Sequence, residues 1–280
     1  MRTLRTVAEV RTATGAARAA GRSVGLVPTM GALHDGHLAL VRAAREACDE
    51  VVVSLFVNPA QFDEASDLAA YPRDEARDAA LAAEAGAHLL WAPPVEAIYP
   101  EGFATTVSVG GPMTERLEGA HRGRAHFDGV ATVVLKLLNA VAPDAAFFGQ
   151  KDAQQLLVVR RLVADLDLPV RIEAVPTVRE PDGLAMSSRN ARLQGDERVR
   201  ALGLSRALRA AEDALAAGER DVAALDRAAR ARLGDVDLEY LAFADPVSLD
   251  PVDRVDGPVL LLVAARVGST RLIDNTTLRP

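Results

Sequence analysis

The 280-residue chain predicts an α/β fold: a parallel sheet flanked by helices, followed by a smaller C-terminal α+β domain. Two observations carry this. Short apolar runs alternate with alanine-rich amphipathic runs through the first two thirds, the pattern of parallel strands joined by crossover helices. After "EPDGLAMSSRN" the pattern changes to two charged helical stretches and then strand candidates. The boundary is placed near residue 177, giving domains 1–176 and 177–280. With 49% hydrophobic residues the chain can bury a large core, and no internal repeat or low-complexity linker interrupts it.

Taken in order, the opening "MRTLRTVAEVRTATGAARAA" lacks the apolar stretch of a secretory signal, and the first strand is expected directly after it, at "SVGLVP". Leu38, Val41 and Ala44 then recur at helical spacing, in a helix beginning near His37. "EVVVSLFVNP", "AHLLWAPP", "DAAFFGQ" and "VRIEAVPTV" read as further strands, and "GVATVVLKLLNAV" as a helix with Lys136 on its solvated side. The charged helices are predicted at about 196–217 and 220–233. Strands follow at "DLEYLAFADP", "VLLLVAARV" and "TRLID".

Bulk properties exclude several classes. A formal net charge of −7 argues against a general electrostatic hold on nucleic acid or an anionic membrane. "VLLLVAA", the longest apolar run, is far too short to span a bilayer. The single cysteine, Cys48, rules out an internal disulfide framework and a cysteine-based zinc site, which favours a reducing, cytoplasmic setting. The basic residues are almost all arginine; only Lys136 and Lys151 are lysine, so each invites a reason.

Ligands of a parallel sheet collect at the carboxyl ends of its strands. Four distinctive stretches fall at such points. In "TMGALHDGH", Gly31 and Gly36 allow close backbone approach, and the helix start offers unpaired N–H groups to phosphate. The helix dipole disfavours an imidazolium there, so neutral His34 and His37 suit donation to phosphate oxygens, although such a pair also serves as a capping feature. In "FVNPAQF" a strand end delivers Gln61, which can both donate and accept. "FFGQKDAQQL" sets Lys151 at a helix start, against the dipole, where an anionic ligand gives it a purpose. "MSSRN" offers Ser187, Ser188 and Arg189 as a loop able to close over a triphosphate, or as an ordinary cap and turn. GxxxxGK[ST], GxGxxG and HExxH patterns are all missing from the sequence, which disfavours a Walker-type ATPase, a dinucleotide fold and a two-histidine metal site.

"PTMGALHDGHLALV", "FVNPAQF", "YPRD", "HFDGVATVV", "FFGQKDAQQL", "DGLAMSSRN" and "ARVGSTRLIDN" resemble, in order, the motifs of the pantothenate synthetase (pantoate–β-alanine ligase) family, over residues 28–275. The HxGH and MSSR elements are similar to the HIGH and KMSKS signatures of the nucleotidyltransferase superfamily. The resemblance implies a Rossmann-like sheet with helices on both faces, a small C-terminal domain covering the site, and a homodimer. It also implies a reaction in which pantoate and ATP give pantoyl adenylate and pyrophosphate, and β-alanine then displaces AMP. Mg2+ would be bound through the phosphates.

Carried over by residue, the resemblance implies that Met30, Gly31, Ala32, Leu33, His34, Asp35, Gly36 and His37 line the ATP site, with His37 in the position of a proton donor. Gly149, Gln150, Lys151, Asp152, Val178, Met186, Ser187, Ser188 and Arg189 would also hold ATP. His34, His37, Lys151 and the Ser187–Arg189 loop would face the phosphates. Gln61 and Gln155 would bind pantoate, with Gln61 also meeting β-alanine. The chain departs from the family in having "GQKD" for "GEKD", and a one-residue insertion in "LEGAHRGRAHFDGV" leaves Arg122 and Arg124 as alternatives for one arginine position. The rival readings are another adenylyltransferase of the superfamily and an inactive nucleotide-binding protein.

Overall fold

The computed structural model describes residues 1–62, 68–69 and 71–280. By its internal contacts the chain divides into two compact units, one of residues 1–149 and 154–176, the other of residues 150–153 and 177–280.

The first unit is built on a six-stranded, wholly parallel sheet. Its strands are β1 (Arg2–Leu4), β2 (Val24–Thr29), β3 (Glu50–Leu55), β4 (Leu89–Trp91), β5 (Ala145–Gly149) and β6 (Arg171–Val175), in the order β1-β4-β3-β2-β5-β6. The strand at Arg2–Leu4 corrects the expectation that the first strand follows the N-terminal segment. Three residues are too few for an alternation to be read, and β1 is held by its pairing with β4 across 87 residues of sequence, Arg2 beside Leu89.

Four helices matter in this unit: α1 (Val7–Ala19), α2 (Asp35–Ala47), α3 (Glu75–Glu84) and α4 (Arg124–Val141). Helix α1 starts with a reciprocal cap, Thr6 Oγ1 accepting from the Glu9 N–H at 3.1 Å and Glu9 Oε2 accepting from the Thr6 N–H at 2.8 Å. On one face of the sheet, Leu40, Val41 and Ala44 of α2 and Ala82 of α3 pack with Val27, Val51, Val53 and Phe147. Leu26 and Val52 alternate to the opposite face, where α1 and α4 pack. Every one of these side chains is buried, which is why the strands read as continuous apolar runs.

Strands β2 and β5 are neighbours, yet β3 continues from β2 in the opposite direction across the sheet, so the strand order reverses at β2. A crevice opens at the carboxyl ends where such a reversal occurs. There β2 runs into Met30–His37 and β5 ends at Gly149.

The second unit pairs helices α6 (Asp196–Ala216) and α7 (Val222–Leu233) with an antiparallel sheet of β7 (Asp237–Ala244), β8 (Val259–Val267) and β9 (Thr270–Leu278); α5 (Ala153–Asp165) precedes it in the chain. Leu204, Leu208, Leu225, Leu261 and Val263 form the centre of its core. The helices approach closely because Gly203 has no side chain: a Cβ there would collide with the Leu233 carbonyl. Strand β9 extends beyond the predicted "TRLID" to Leu278, so the pair Asp274–Asn275 lies in mid-strand, beside Val263 and Leu262.

Candidate active site

The loop leaving β2 turns through Gly31 at φ 91° and Ala32 at φ 52°. The second value places an alanine in the left-handed region, at a cost of about 1 kcal/mol. Asp78 of α3 holds it there. Its carboxylate is 1% exposed and accepts from the N–H groups of Ala32 at 2.9 Å and Leu33 at 2.8 Å. A side chain at Gly31 would press on Leu55 and on the Asp78 carboxylate.

Helix α2 then begins at Asp35, with His34 as its N-cap, two residues before the predicted start. The Gly36 N–H donates to His34 Nδ1 at 3.2 Å, and the His34 N–H donates to His37 Nδ1 at 3.3 Å. The two rings lie with centroids 4.1 Å apart, tilted by 39°. With Nδ1 of each ring accepting from a backbone N–H, this geometry assigns the Nε2–H tautomer to both rings. The cap uses Nδ1 of each ring. A Cβ at Gly36 would stand 2.9 Å from His34 Cε1, so a side chain there would displace the His34 ring.

At the end of β3, Asn58 caps a short turn, Pro59–Gln61. The Tyr99 hydroxyl donates to Asn58 Oδ1 at 2.8 Å and the Ala60 N–H to the same oxygen at 3.3 Å. Asn58 Nδ2 then donates to Gln61 Oε1 at 3.0 Å and to the Gly129 carbonyl at 3.1 Å. With its oxygen taken, Gln61 directs its Nε2 to Met30 Sδ at 3.0 Å. Met30 and Gln61 are thus brought together and the amide's orientation is set. The turn sits directly on α4, where a Cβ at Gly129 would collide with the Ala60 carbonyl. Burial pushes the Tyr99 hydroxyl up to about 12, only partly offset by its bond to Asn58, so it remains a donor at any working pH.

In the second unit, residues 178–186 form a small hairpin that brings Val178 and Met186 together, the Met186 N–H donating to the Val178 carbonyl at 2.9 Å. Gly183, at φ 95°, makes its turn. Asn190 ties the hairpin to the serine–arginine loop, its Nδ2 donating to Glu180 Oε1 at 2.6 Å and to the Ala185 carbonyl at 3.0 Å. Arg198 holds Glu180 below the usual carboxylate range. Ser187 Oγ accepts from the Arg189 N–H at 3.3 Å, the N-cap of the short Ser188–Arg192 helix. Gln150–Asp152 is likewise a short helical turn, with Lys151 half-buried and Asp152 exposed.

Neighbouring side chains divide between half-buried, exposed and structural settings. Gln155 is half-buried in the first turn of α5, whereas its neighbour Gln154 is buried and structural: Oε1 accepts from the Glu118 N–H at 3.1 Å and Nε2 donates to the carbonyls of Met113 at 2.7 Å and Arg116 at 2.9 Å. Arg122 pairs with Glu118 at 3.2 Å, and Arg124 is exposed. Lys136 lies half-buried on the more exposed side of α4, partly covered by aromatic rings. Its Nζ lies 4.6 Å from the Phe103 ring centre and 6.0 Å from that of Tyr99, because residues 99–103 fold against α4. Among the described residues no group of three or more His, Cys, Asp or Glu side chains is placed to hold a metal ion. Asp78, Asn58 and Tyr99 are the residues that sequence reasoning passed over. Asp78 and Tyr99 act across 46 and 41 residues of chain, a signal that exists only in three dimensions, whereas Asn58 acts on its own turn and, across the chain, on Gly129.

A family profile described as pantoate-beta-alanine ligase matches residues 2–277. A pantothenate synthetase of Rhizorhabdus wittichii is 56% identical, covering 100% of this chain and 99% of its own length. The crystal structure of pantothenate synthetase from Thermus thermophilus superposes with a TM-score of 0.93 at 49% identity, covering 100% of both chains. That of pantoate-beta-alanine ligase from Francisella tularensis, complexed with beta-gamma ATP and beta-alanine, gives 0.80 at 30% identity, covering 99% of this chain and 97% of the other.

Proposed function

The chain belongs to the pantoate–β-alanine ligase family, and from that premise we propose which of its residues carry each part of the reaction. The protein condenses pantoate with β-alanine, using ATP, and releases AMP and pyrophosphate through a pantoyl-adenylate intermediate. A pantoate carboxylate oxygen attacks the α-phosphorus as the bond to pyrophosphate breaks. The β-alanine amine then attacks the acyl carbon, AMP leaves and the new amide nitrogen loses a proton. No covalent protein nucleophile is needed, so the protein's task is to orient the partners and stabilise charge as it grows on the phosphates.

The reciprocal cap of His34 and His37 is the observation that carries the assignment. It gives two neutral Nε2–H donors at the start of a helix whose dipole and unpaired N–H groups favour an anion. We assign the phosphates to these two rings, with His37 as proton donor, and to Lys151, Ser187, Ser188 and Arg189. Met30, Gly31, Ala32, Leu33, Asp35 and Gly36 of the first unit line the nucleotide, as do Gly149, Gln150, Asp152, Val178 and Met186. Gln61, held by Asn58 at its oxygen with its Nε2 on Met30 Sδ, and Gln155 bind pantoate; Gln61 also meets β-alanine. Mg2+ enters on the phosphates, which suits an ion that keeps much of its water and needs few protein ligands. A cytoplasmic homodimer completes the reading, supported by the lone buried Cys48 and by the family resemblance.

The test is ATP–pyrophosphate exchange with pantoate and Mg2+ but without β-alanine. Exchange is expected, since the adenylate forms before the amine attacks. Exchange only with β-alanine present would contradict it, and transfer of AMP to a phosphate acceptor would support the rival adenylyltransferase.

A further inference from the structure

We propose that Asn275 is a positioning residue that sets Lys151 for adenylate formation; this rests on the reading that Lys151 faces the phosphates. Asn275 is 8% exposed, and both hydrogens of its Nδ2 are spent on one target: the carbonyls of Gln150 at 3.0 Å and Lys151 at 2.8 Å. Bonds from one amide nitrogen to two successive carbonyls fix both peptide planes of the turn, and with them the direction in which the Lys151 side chain leaves it.

The clamp itself is rigid. Asn275 lies in mid-strand, paired with Leu262, and its N–H donates to Asp274 Oδ1 at 2.8 Å. Asp274, buried, receives both terminal nitrogens of Arg179, at 2.6 and 3.0 Å. Arg179 in turn donates to the Gly183 carbonyl at 3.2 Å, at the tip of the hairpin that joins Val178 to Met186. Adjacent residues of a strand face opposite sides. One strand therefore holds the hairpin through Asp274 on one face and the lysine turn through Asn275 on the other.

The experiment is single-turnover formation of pantoyl adenylate by Asn275→Asp, Lys151→Ala and the double variant. Asn275→Asp keeps the size but sets oxygen against two carbonyl oxygens. It is expected to slow the step by about ten- to hundredfold, the scale of a misplaced catalytic group, with pantoate KM changed far less. On Lys151→Ala the same change should add nothing. Asn275→Ala, which removes the bonds without repulsion, decides the matter where thermal melting shows that Asn275→Asp does not fold.

If Lys151→Ala is slow while the folded Asn275 variants run within about twofold of the parent, the proposal is overturned and the Lys151 assignment stands. Losses that multiply in the double variant would make Asn275 merely structural, which also overturns it. A fully active Lys151→Ala would remove Lys151 from the reaction, and the positioning role with it.

Discussion

The Tyr99 hydroxyl donates to Asn58 Oδ1 at 2.8 Å, and this bond decides which end of the Asn58 amide faces Gln61. Tyr99→Phe should leave the fold intact and let that amide turn, raising KM for pantoate by about fivefold, the worth of about 1 kcal/mol for one hydrogen bond. ATP binding measured by calorimetry should hardly change. An equal loss for both ligands would show that the network does not serve pantoate.

The same residue gives a pH dependence. Burial raises the Tyr99 hydroxyl from its ordinary 10.0 to about 12. Below pH 10 the folded and unfolded chains both keep the proton. As pH rises from about 10 to 12 the unfolded chain ionises first, so stability is lost through that window. Chemical denaturation across this range should show a steeper fall for the parent than for Tyr99→Phe, and tyrosinate absorbance should lose one late-ionising group in the variant.

Asp78→Asn tests the loop that precedes the histidines. The buried carboxylate accepts from two successive N–H groups, and an asparagine can accept with its oxygen while its amino group opposes the other. Each charge-assisted bond contributes about 1.5–3 kcal/mol. A stability loss of about 2 kcal/mol and weaker ATP binding are expected from denaturant titration and calorimetry. Weaker pantoate binding with unchanged ATP affinity would assign the loop to the wrong ligand.

The two lysines should respond differently to the same change. Lys136→Arg keeps a cation over Phe103 and Tyr99, where arginine also stacks well, and should be nearly silent in rate and melting temperature. Lys151→Arg replaces a point charge by a planar fork and should stay slow, with Lys151→Ala losing about 10²- to 10³-fold in adenylate formation. A fully active Lys151→Arg enzyme would contradict the role given to Lys151.

Strands β2 to β9 and the two C-terminal helices are legible in the sequence because each shows its period or its apolar run. β1, with three residues and no such run, is not. The histidine pair is legible as a candidate, whereas the division of labour between Nδ1 and Nε2 depends on backbone geometry that spacing does not reveal. Lys136 looks solvated in the sequence because its covering aromatic rings come from a segment more than thirty residues away. Asp78 follows the aspartate of "YPRD" by one helical turn, with no local sign that it braces Ala32, 46 residues earlier. "RLIDN" is legible as a motif, but its chemistry requires the contacts of Asp274 and Asn275.

The central claim is that His34 and His37 meet the phosphates as neutral Nε2–H donors, and long-range proton–nitrogen NMR on ring-labelled protein tests it most directly. Both rings should be single Nε2–H tautomers at neutral pH, and both Nε2–H signals should move on addition of ATP, with assignments made from His34→Gln and His37→Gln. A proton on Nδ1 of either ring, an imidazolium, or signals that ignore ATP would contradict the account.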